Sequence, residues 1–261
     1  MKGVAALLAV ACYEARMAAR GRGVWIGMVP MAALALLVGM GRLDGAESAR
    51  LNAGAVAEAL TLVVPVGVGV VLADRLRRGT AAGLGDLLDS VPLRGAARIG
   101  AVLAGGLAVA LLPVLPVTAV LGAAAAVRTG DAAALPWTAL AFLVVLLPAC
   151  AWITALAGVL ALVLPAPLAR AFVVPAWFWA VAWNPRLLWA PTPVGTLLVP
   201  SGEYPAQAWF GTTPSWAGNG QVGWLSPAAD GTVTGLANLA CVLLSTALLI
   251  GGARLIMMGK R

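Results

Sequence analysis

The sequence contains no histidine, two lysines, three cysteines and ten carboxylates among its 261 residues. Without histidine there is no Ser-His-Asp triad, no imidazole proton relay, and no His-ligated zinc or similar transition-metal site. The lysines are Lys2 and Lys260, and Lys260 is followed by Arg261, so the Gly-Lys-Ser/Thr step of a P-loop does not occur. If the chain does energised work, a partner supplies the energy. Cys12, Cys150 and Cys241 are odd in number and widely spaced, and the last two fall inside apolar runs. That pattern fits small hydrophobic side chains better than a disulfide framework or a metal knuckle. Charge is scarce as well: 10% of residues are charged, against about 25% in soluble domains.

Apolar surface is what the chain has in excess. It is 62% hydrophobic with a mean hydropathy of +0.97. Several stretches hold around twenty apolar residues, enough to cross a hydrocarbon core of about 30 Å. The chain therefore reads as an all-α integral membrane protein, a single transmembrane domain over 1–261. Six crossings are expected, at 24–40, 54–73, 99–127, 137–164, 168–183 and 231–256. The third and fourth exceed a straight crossing, so they must tilt, kink or protrude. Pro113 and Pro116 predict kinks in the third and Pro148 one in the fourth, while Pro165 and Pro167 mark a tight turn before the fifth.

Ahead of the first crossing lies the segment 1–22. Its Leu8-Ala9-Val10-Ala11-Cys12 faintly resembles a lipoprotein cleavage box, but Glu14, Arg16, Arg20 and Arg22 follow the short apolar run. A secretory signal carries its charges before that run. Residues 3–20 instead predict an interfacial helix, with Leu7, Leu8, Cys12 and Met17 toward lipid and Arg16 and Arg20 toward headgroups.

Basic residues set the expected orientation. One set of connections holds 13 of the 17: Lys2, Arg16, Arg20 and Arg22, then Arg75, Arg77, Arg78, Arg94 and Arg98, then Arg170, and finally Arg254, Lys260 and Arg261. The other set holds only Arg42, Arg50, Arg128 and Arg186. The asymmetry places both termini and the 74–98 loop in the cytoplasm of a cell-membrane protein, and an even number of crossings agrees. It also accounts for the pI of about 10.4 without nucleic acid, through topology and contact with anionic lipid.

Between the fifth and sixth crossings, 184–230 faces outward and carries Trp189, Trp209, Trp216 and Trp224 among many Gly and Pro. Its apolar part, 187–199, is too short to span and is broken by Pro191 and Pro193, which fits a re-entrant or interfacial hairpin. The tryptophans fit an interfacial belt, or alternatively the lining of an exit site for an amphipathic solute.

The 74–98 loop is the most informative segment. Leu84, Leu87, Leu88 and Val91 recur at helical spacing, Asp86 and Asp89 sit on another face, and Pro92 closes the turn. This is a short amphipathic helix between basic flanks, suited to inserting leucines into a groove on a soluble partner. Lying flat on the membrane is the alternative, against which the two aspartates count because the cytoplasmic leaflet is anionic. The loop's charged start (Asp74, Arg75, Arg77, Arg78), its Gly79-Thr80, its Leu87-Leu88 step and its Pro92-x-Arg94 lie between the second and third of six crossings. This arrangement resembles the coupling loop of type-2 ABC transporter permeases. The resemblance extends over nearly the whole chain: N-terminal amphipathic helix, six crossings, loop and outer segment. Members of that family often follow Pro-x-Arg with Gly-Lys, where this chain has Gly95-Ala96-Ala97-Arg98. The resemblance implies a dimer of permease chains, identical or homologous, over two ATPase subunits that hold the ATP and magnesium, with no cofactor in this chain. It also implies a substrate path between the permease copies, lined mainly by the second and fifth crossings.

Glu58 is the ionisable residue set well inside an expected crossing, about one turn from the outer end of the second. Intramembrane carboxylates are candidates for a pathway or gate, but one so near the boundary can also snorkel to headgroup water. Trp177 and Phe178 in the fifth crossing are the other pathway candidates, and Arg186 and Glu203 are placed to pair in the outer segment. Gly67, Gly69, Gly105 and Gly106 fit close helix packing or a flexible seam. The leading expectation is a permease subunit of an ABC exporter that moves a hydrophobic or amphipathic substrate. A lipid-modifying membrane enzyme would need clustered polar groups at the lipid boundary, and the outer Asp44, Glu47, Asp131, Glu203 and Asp230 are scattered singly. An ion-coupled carrier would place carboxylates near midplane, for which Glu58 is the single candidate. A non-transporting scaffold or immunity-type subunit is also compatible with the sequence.

Overall fold

A chain in lipid has no water to satisfy its peptide groups, so an apolar sequence pairs them within helices. The computed structural model describes residues 2–77, 95–183, 191–213, 215–220 and 222–259, and its regular structure is helical, with no strand among the described residues. Helix α1 (Lys2–Arg20) meets α2 (Arg22–Met40) at Gly21, and α3 spans Ala49–Leu72. Helices α4 (Gly95–Leu111) and α5 (Val114–Thr129) form a bent pair. Next, α6 (Ala134–Ala141) passes through a π-helical turn, Phe142–Leu146, into α7 (Leu147–Val163). Then come α8 (Ala166–Val181), the short α9 (Glu203–Phe210) and the long α10 (Thr232–Gly259).

Four of these helical stretches are long and apolar enough to cross a bilayer: Arg22–Met40, Ala49–Arg77, Ala134–Val163 and Thr232–Gly259. The α4–α5 pair makes a fifth if its 49° bend lies within one crossing. Helix α8, at 16 residues, is about 24 Å long, shorter than the hydrocarbon core. Each of the six apolar runs in the sequence is therefore helical, but the length criterion is met by four or five.

The prolines act differently from one another. Pro113 ends the third run's first half, because the residue before a proline is pushed out of the helical region and Pro113 has no N–H to donate. The single break falls there. Pro116 was expected to kink the run too, but it sits in the first turn of α5, where a missing N–H costs nothing. Pro148 lies at the start of α7, directly after the π-helical turn that absorbs its missing hydrogen bond. Pro165 caps α8 and Pro167 lies in its first turn, so this pair starts a helix as well as turning the chain.

Helix α3 is the centre of the bundle, packed by α2, α4, α5, α6, α7, α8 and α9. Its small residues permit this. A Cβ on Gly69 would lie 2.6 Å from Val173 Cγ1 of α8 and 2.8 Å from Ile153 Cγ1 of α7, and Gly67 meets Met31 of α2 equally closely. Gly105 of α4 abuts the Ala11 carbonyl of α1, and Gly106 faces Leu72. These glycines sit at helix crossings, the packing use of small residues in lipid. By contrast, α2 and α10 leave Ile26, Leu37, Leu244 and Leu248 exposed, the surface an apolar solvent covers. Helix α1 lies against α4 with Ala11, Glu14 and Ala18 inward and Leu8, Cys12 and Met17 exposed, while Leu7 is half-buried.

Pro65 inside α3 removes the N–H that would bond the Thr61 carbonyl four residues earlier. Trp177 of α8 supplies the donor instead: its Nε1 reaches the Thr61 oxygen at 3.0 Å. The Trp177 ring is fully buried, 6.1 Å from the ring of Trp152.

The helix ends gather in two groups. At one end, rich in arginine, lie the α1–α2 junction, the Asp74–Arg77 turn, Leu164, Arg170 and the Gly95–Arg254 contact. At the other lie the α2–α3 turn, where Arg128 Nη1 donates to the Leu43 carbonyl at 2.7 Å, and α9 packed on α3 and α10.

Candidate functional site

At the arginine-rich end, α3 turns at Ala73–Asp74 into a last helical stretch through Arg77. Of the twelve residues expected to couple to a partner, Asp74, Arg75 and Arg77 are described. Arg78, Gly79, Leu84, Asp86, Leu87, Leu88, Asp89, Pro92 and Arg94 lie outside the described residues. Asp74 Oδ2 accepts from Arg170 Nη2 of α8 at 3.0 Å, and Arg77 Nη1 reaches the Leu164 carbonyl at 3.5 Å. Leu76 packs into Gly158 of α7. Arg75 is buried beside the α1–α2 junction, its Nη2 at 3.9 Å from the Cβ position of Gly21. Burial raises the Glu14 carboxyl of α1, and the Arg75 guanidinium pulls it back down. Asp74 and Arg75 therefore face inward, and of the three only Arg77 is exposed. The loop's root is bolted to α1, α7 and α8.

At the opposite end the chain from 191 onward folds over α3. Thr192 Oγ1 donates to the Trp179 carbonyl at 2.7 Å, and Trp179 Nε1 donates to the Pro191 carbonyl at 3.0 Å. Asn238 of α10, 1% exposed, donates through Nδ2 to the carbonyls of Leu197 and Val199, both at 2.9 Å. The buried Tyr204 hydroxyl accepts from the Gly218 N–H at 3.0 Å and lies 3.3 Å from the carbonyls of both Gly195 and Pro227. Arg50 stacks 5.5 Å over Trp137, donates to the Trp209 carbonyl, and so pins α9 to the start of α3. Gly202, at φ +75°, makes the left-handed turn into α9 where a Cβ would meet Val145.

Between this cap and α3 lies a cavity of about 160 Å³. Glu58 and Glu203 are both in its wall, with Ser201, Thr213 and Ser215 from the cap and Arg42 from the α2–α3 turn. Ala55, Ala59, Leu62 and Val181 form its apolar side. Glu58 Oε1 accepts from Thr212 Oγ1 at 2.9 Å. Burial pushes the Glu203 pKa up from 4.5 to about 7, against the pull of the nearby backbone N–H groups of Trp216 and Ala217. Glu203 Oε2 and Ser201 Oγ are buried with no hydrogen-bond partner among the described residues.

Glu58 departs from its expected place at a solvated helix end. The helix begins at Ala49, capped by Ser48, whose side chain accepts from the Leu51 N–H at 3.2 Å. Glu58 thus lies about 13 Å along the axis, underneath the cap. Hydropathy sees only where the apolar run starts, and Arg50 and Asn52 lengthen the helix ahead of it. The three pathway candidates do not come together: Trp177 is spent on the Thr61 carbonyl in the core, and Phe178 faces outward, away from the cavity. Among the described residues no tryptophan lines the cavity, and Trp224 is 80% exposed. Arg186, expected to pair with Glu203, and Trp189 lie outside the described residues. Sequence reasoning missed Arg42, Ser201, Thr213 and Ser215, which are polar positions in segments with no periodicity to read.

Comparison with protein-family models finds none that matches the chain, and comparison with curated proteins finds no match.

Proposed function

We propose that this chain is the membrane-embedded permease subunit of a type-2 ABC exporter. In this reading it crosses the cell membrane six times, with both termini and the 74–98 loop in the cytoplasm. It pairs with a second copy or a homologous permease over separate ATPase subunits, which bind ATP and magnesium, and it moves a hydrophobic or amphipathic substrate outward. The grouping of helix ends supports six passes: successive connections meet alternately at the arginine-rich and the opposite end. The observation that carries the functional reading is the bolted root of the loop. A push on the loop would pass through Asp74–Arg170 into α8 and through Arg77–Leu164 into the end of α7, as well as directly into α3, among the elements a permease must rock between its two states.

The test is co-purification from native membranes in mild detergent, comparing the wild type with Leu87→Asp/Leu88→Asp. A P-loop ATPase that follows the wild type in fixed proportion and is lost from the variant supports the reading. A folded chain that emerges without any ATPase refutes it. The cavity favours one second reading, an ion-coupled carrier, because it holds Glu58 and Glu203 together in one wall. Solute uptake into proteoliposomes driven by an imposed proton or sodium gradient, and abolished by Glu58→Gln, would select the carrier.

A further inference from the structure

We propose that the 3₁₀ turn Gly223–Leu225 of the cap is seated in the outer leaflet, with Trp224 as the lipid-inserted side chain that holds the cap down over α3. Between Glu203 and Asp230 the sequence carries no charged residue, whereas a loop standing in water needs charge to cover its surface. Of the described tryptophans in the cap, Trp209 and Trp216 are half-buried, while Trp224 is 80% exposed, with Val222 and Leu198 each 41% exposed. An indole is favoured where its ring meets hydrocarbon and its N–H meets headgroups or water.

The depth of the turn follows from α10. Its exposed Arg254 lies at the arginine-rich end beside Gly95, which sets the inner edge of the hydrocarbon. Asn238 is about 24 Å along the helix from there, inside a core of about 30 Å. Asn238 Nδ2 donates to the Leu197 carbonyl at 2.9 Å, and the Leu197 N–H donates to the Leu225 carbonyl at 2.8 Å. Two hydrogen bonds and the backbone of one residue thus separate Leu225 from Asn238, at most about 10 Å. Headgroups extend the bilayer about 5–7 Å beyond the core on each side. Even a span pointing straight outward therefore leaves the turn within the headgroup layer, and any other direction puts it deeper. Val233 and Leu236 of α10 are exposed at that height, so the lipid that covers α10 reaches the level of the turn. A single ring on a three-residue turn offers far less than the roughly 800 Å² that each partner gives a stable protein interface, so the occupant is lipid and not a second chain. The seat requires α10 to cross the bilayer and is independent of the permease reading.

The experiment uses the full chain in phosphatidylcholine nanodiscs, with Cys12→Ser, Cys150→Ala and Cys241→Ala removing the native thiols and Trp224→Cys carrying a bimane fluorophore. Leu244→Cys, in the middle of α10, is the deep reference. Quenching is compared between lipids with a nitroxide on the headgroup, on the upper acyl chain or at the chain end, and aqueous iodide. The headgroup and upper-chain nitroxides should quench the label at 224 at least about threefold more than the chain-end nitroxide, the reverse of the reference, and iodide should quench it weakly. Strong quenching by iodide with none by the nitroxide lipids places the turn in water and overturns the seat. Shielding from both places it under another protein surface and overturns it equally. If the cysteine variant does not purify as a monodisperse species, tryptophan quenching of the wild type minus that of Trp224→Phe gives the same comparison. The holding role is read from protease cleavage of the cap in the same nanodiscs. Trp224→Asp should be cut about tenfold faster than the wild type, and Trp224→Leu within about twofold of it. Equal rates in the two variants would remove Trp224 as the anchor.

Discussion

Replacing Trp177 with phenylalanine takes one N–H out of the middle of the bundle and keeps an aromatic ring there. The N–H matters because of Pro65, which cannot bond the Thr61 carbonyl, so the indole 3.0 Å away is that oxygen's donor across the helix interface. An unpaired buried carbonyl costs about 1–3 kcal/mol, and the lost part of the Trp177 ring, packed on Trp152, adds to it. The two contributions separate in a double-mutant cycle. Pro65→Ala restores a backbone N–H to α3, which can then close the bond to Thr61 within the helix. In that background Trp177→Phe should lose only its packing contribution, so the two substitutions should couple by about 1–2 kcal/mol. The assay is reversible unfolding in mixed micelles as the fraction of denaturing detergent rises, for the wild type, both single variants and the double. If Trp177→Phe costs the same with and without Pro65, the indole is not compensating the proline and the reasoning fails.

Two further outcomes follow from the cap. Asn238→Leu removes both donors that hold Leu197 and Val199 to α10; it should loosen the 191–231 segment by about 2–4 kcal/mol and speed its cleavage by added protease, with α2 and α3 still protected, whereas an unchanged cleavage rate would mean the cap is held elsewhere. Glu203 titrates with a folded pKa of about 7 against 4.5 in the unfolded chain; the folded protein therefore binds the proton more tightly, and the stability this confers is complete below pH 4.5 and lost as pH rises to 7. With Glu58, Arg42 and Tyr204 as its charged or titratable neighbours, the cap should resist proteolysis better at pH 5 than at pH 8. Glu203→Gln should flatten that difference, and a profile of equal steepness in the variant would remove Glu203 from the account.

Helix existence was legible in the sequence, because in lipid an apolar run has no other way to satisfy its backbone; all six runs are helical. Boundaries were less so: α3, capped by Ser48, begins at Ala49, five residues ahead of the apolar run at 54, which moves Glu58 from a helix end to beneath the cap. Proline effects depended on position in the turn, and the expected kink at Pro116 disappeared once Pro113 had begun a new helix. Trp177 was a pathway candidate because it lies in the fifth crossing, which the family resemblance makes part of the path. The mid-helix Pro65 was the overlooked signal, since a freed carbonyl at Thr61 calls for a donor at the same depth on a neighbouring helix.

The sequence by itself determined the solvent, the helical class, the chemistry that is absent and the uneven distribution of arginine, all of which follow from composition and local period. Tertiary structure alone decided which polar groups meet. Glu58 and Glu203 are separated by most of the chain, and Asp74 is 96 residues from Arg170. Such pairings are set by helix crossings at Gly69 and Gly158 and by Asn238 tethering the cap. They arise from packing among elements distant in the chain, which neither hydropathy nor periodicity encodes.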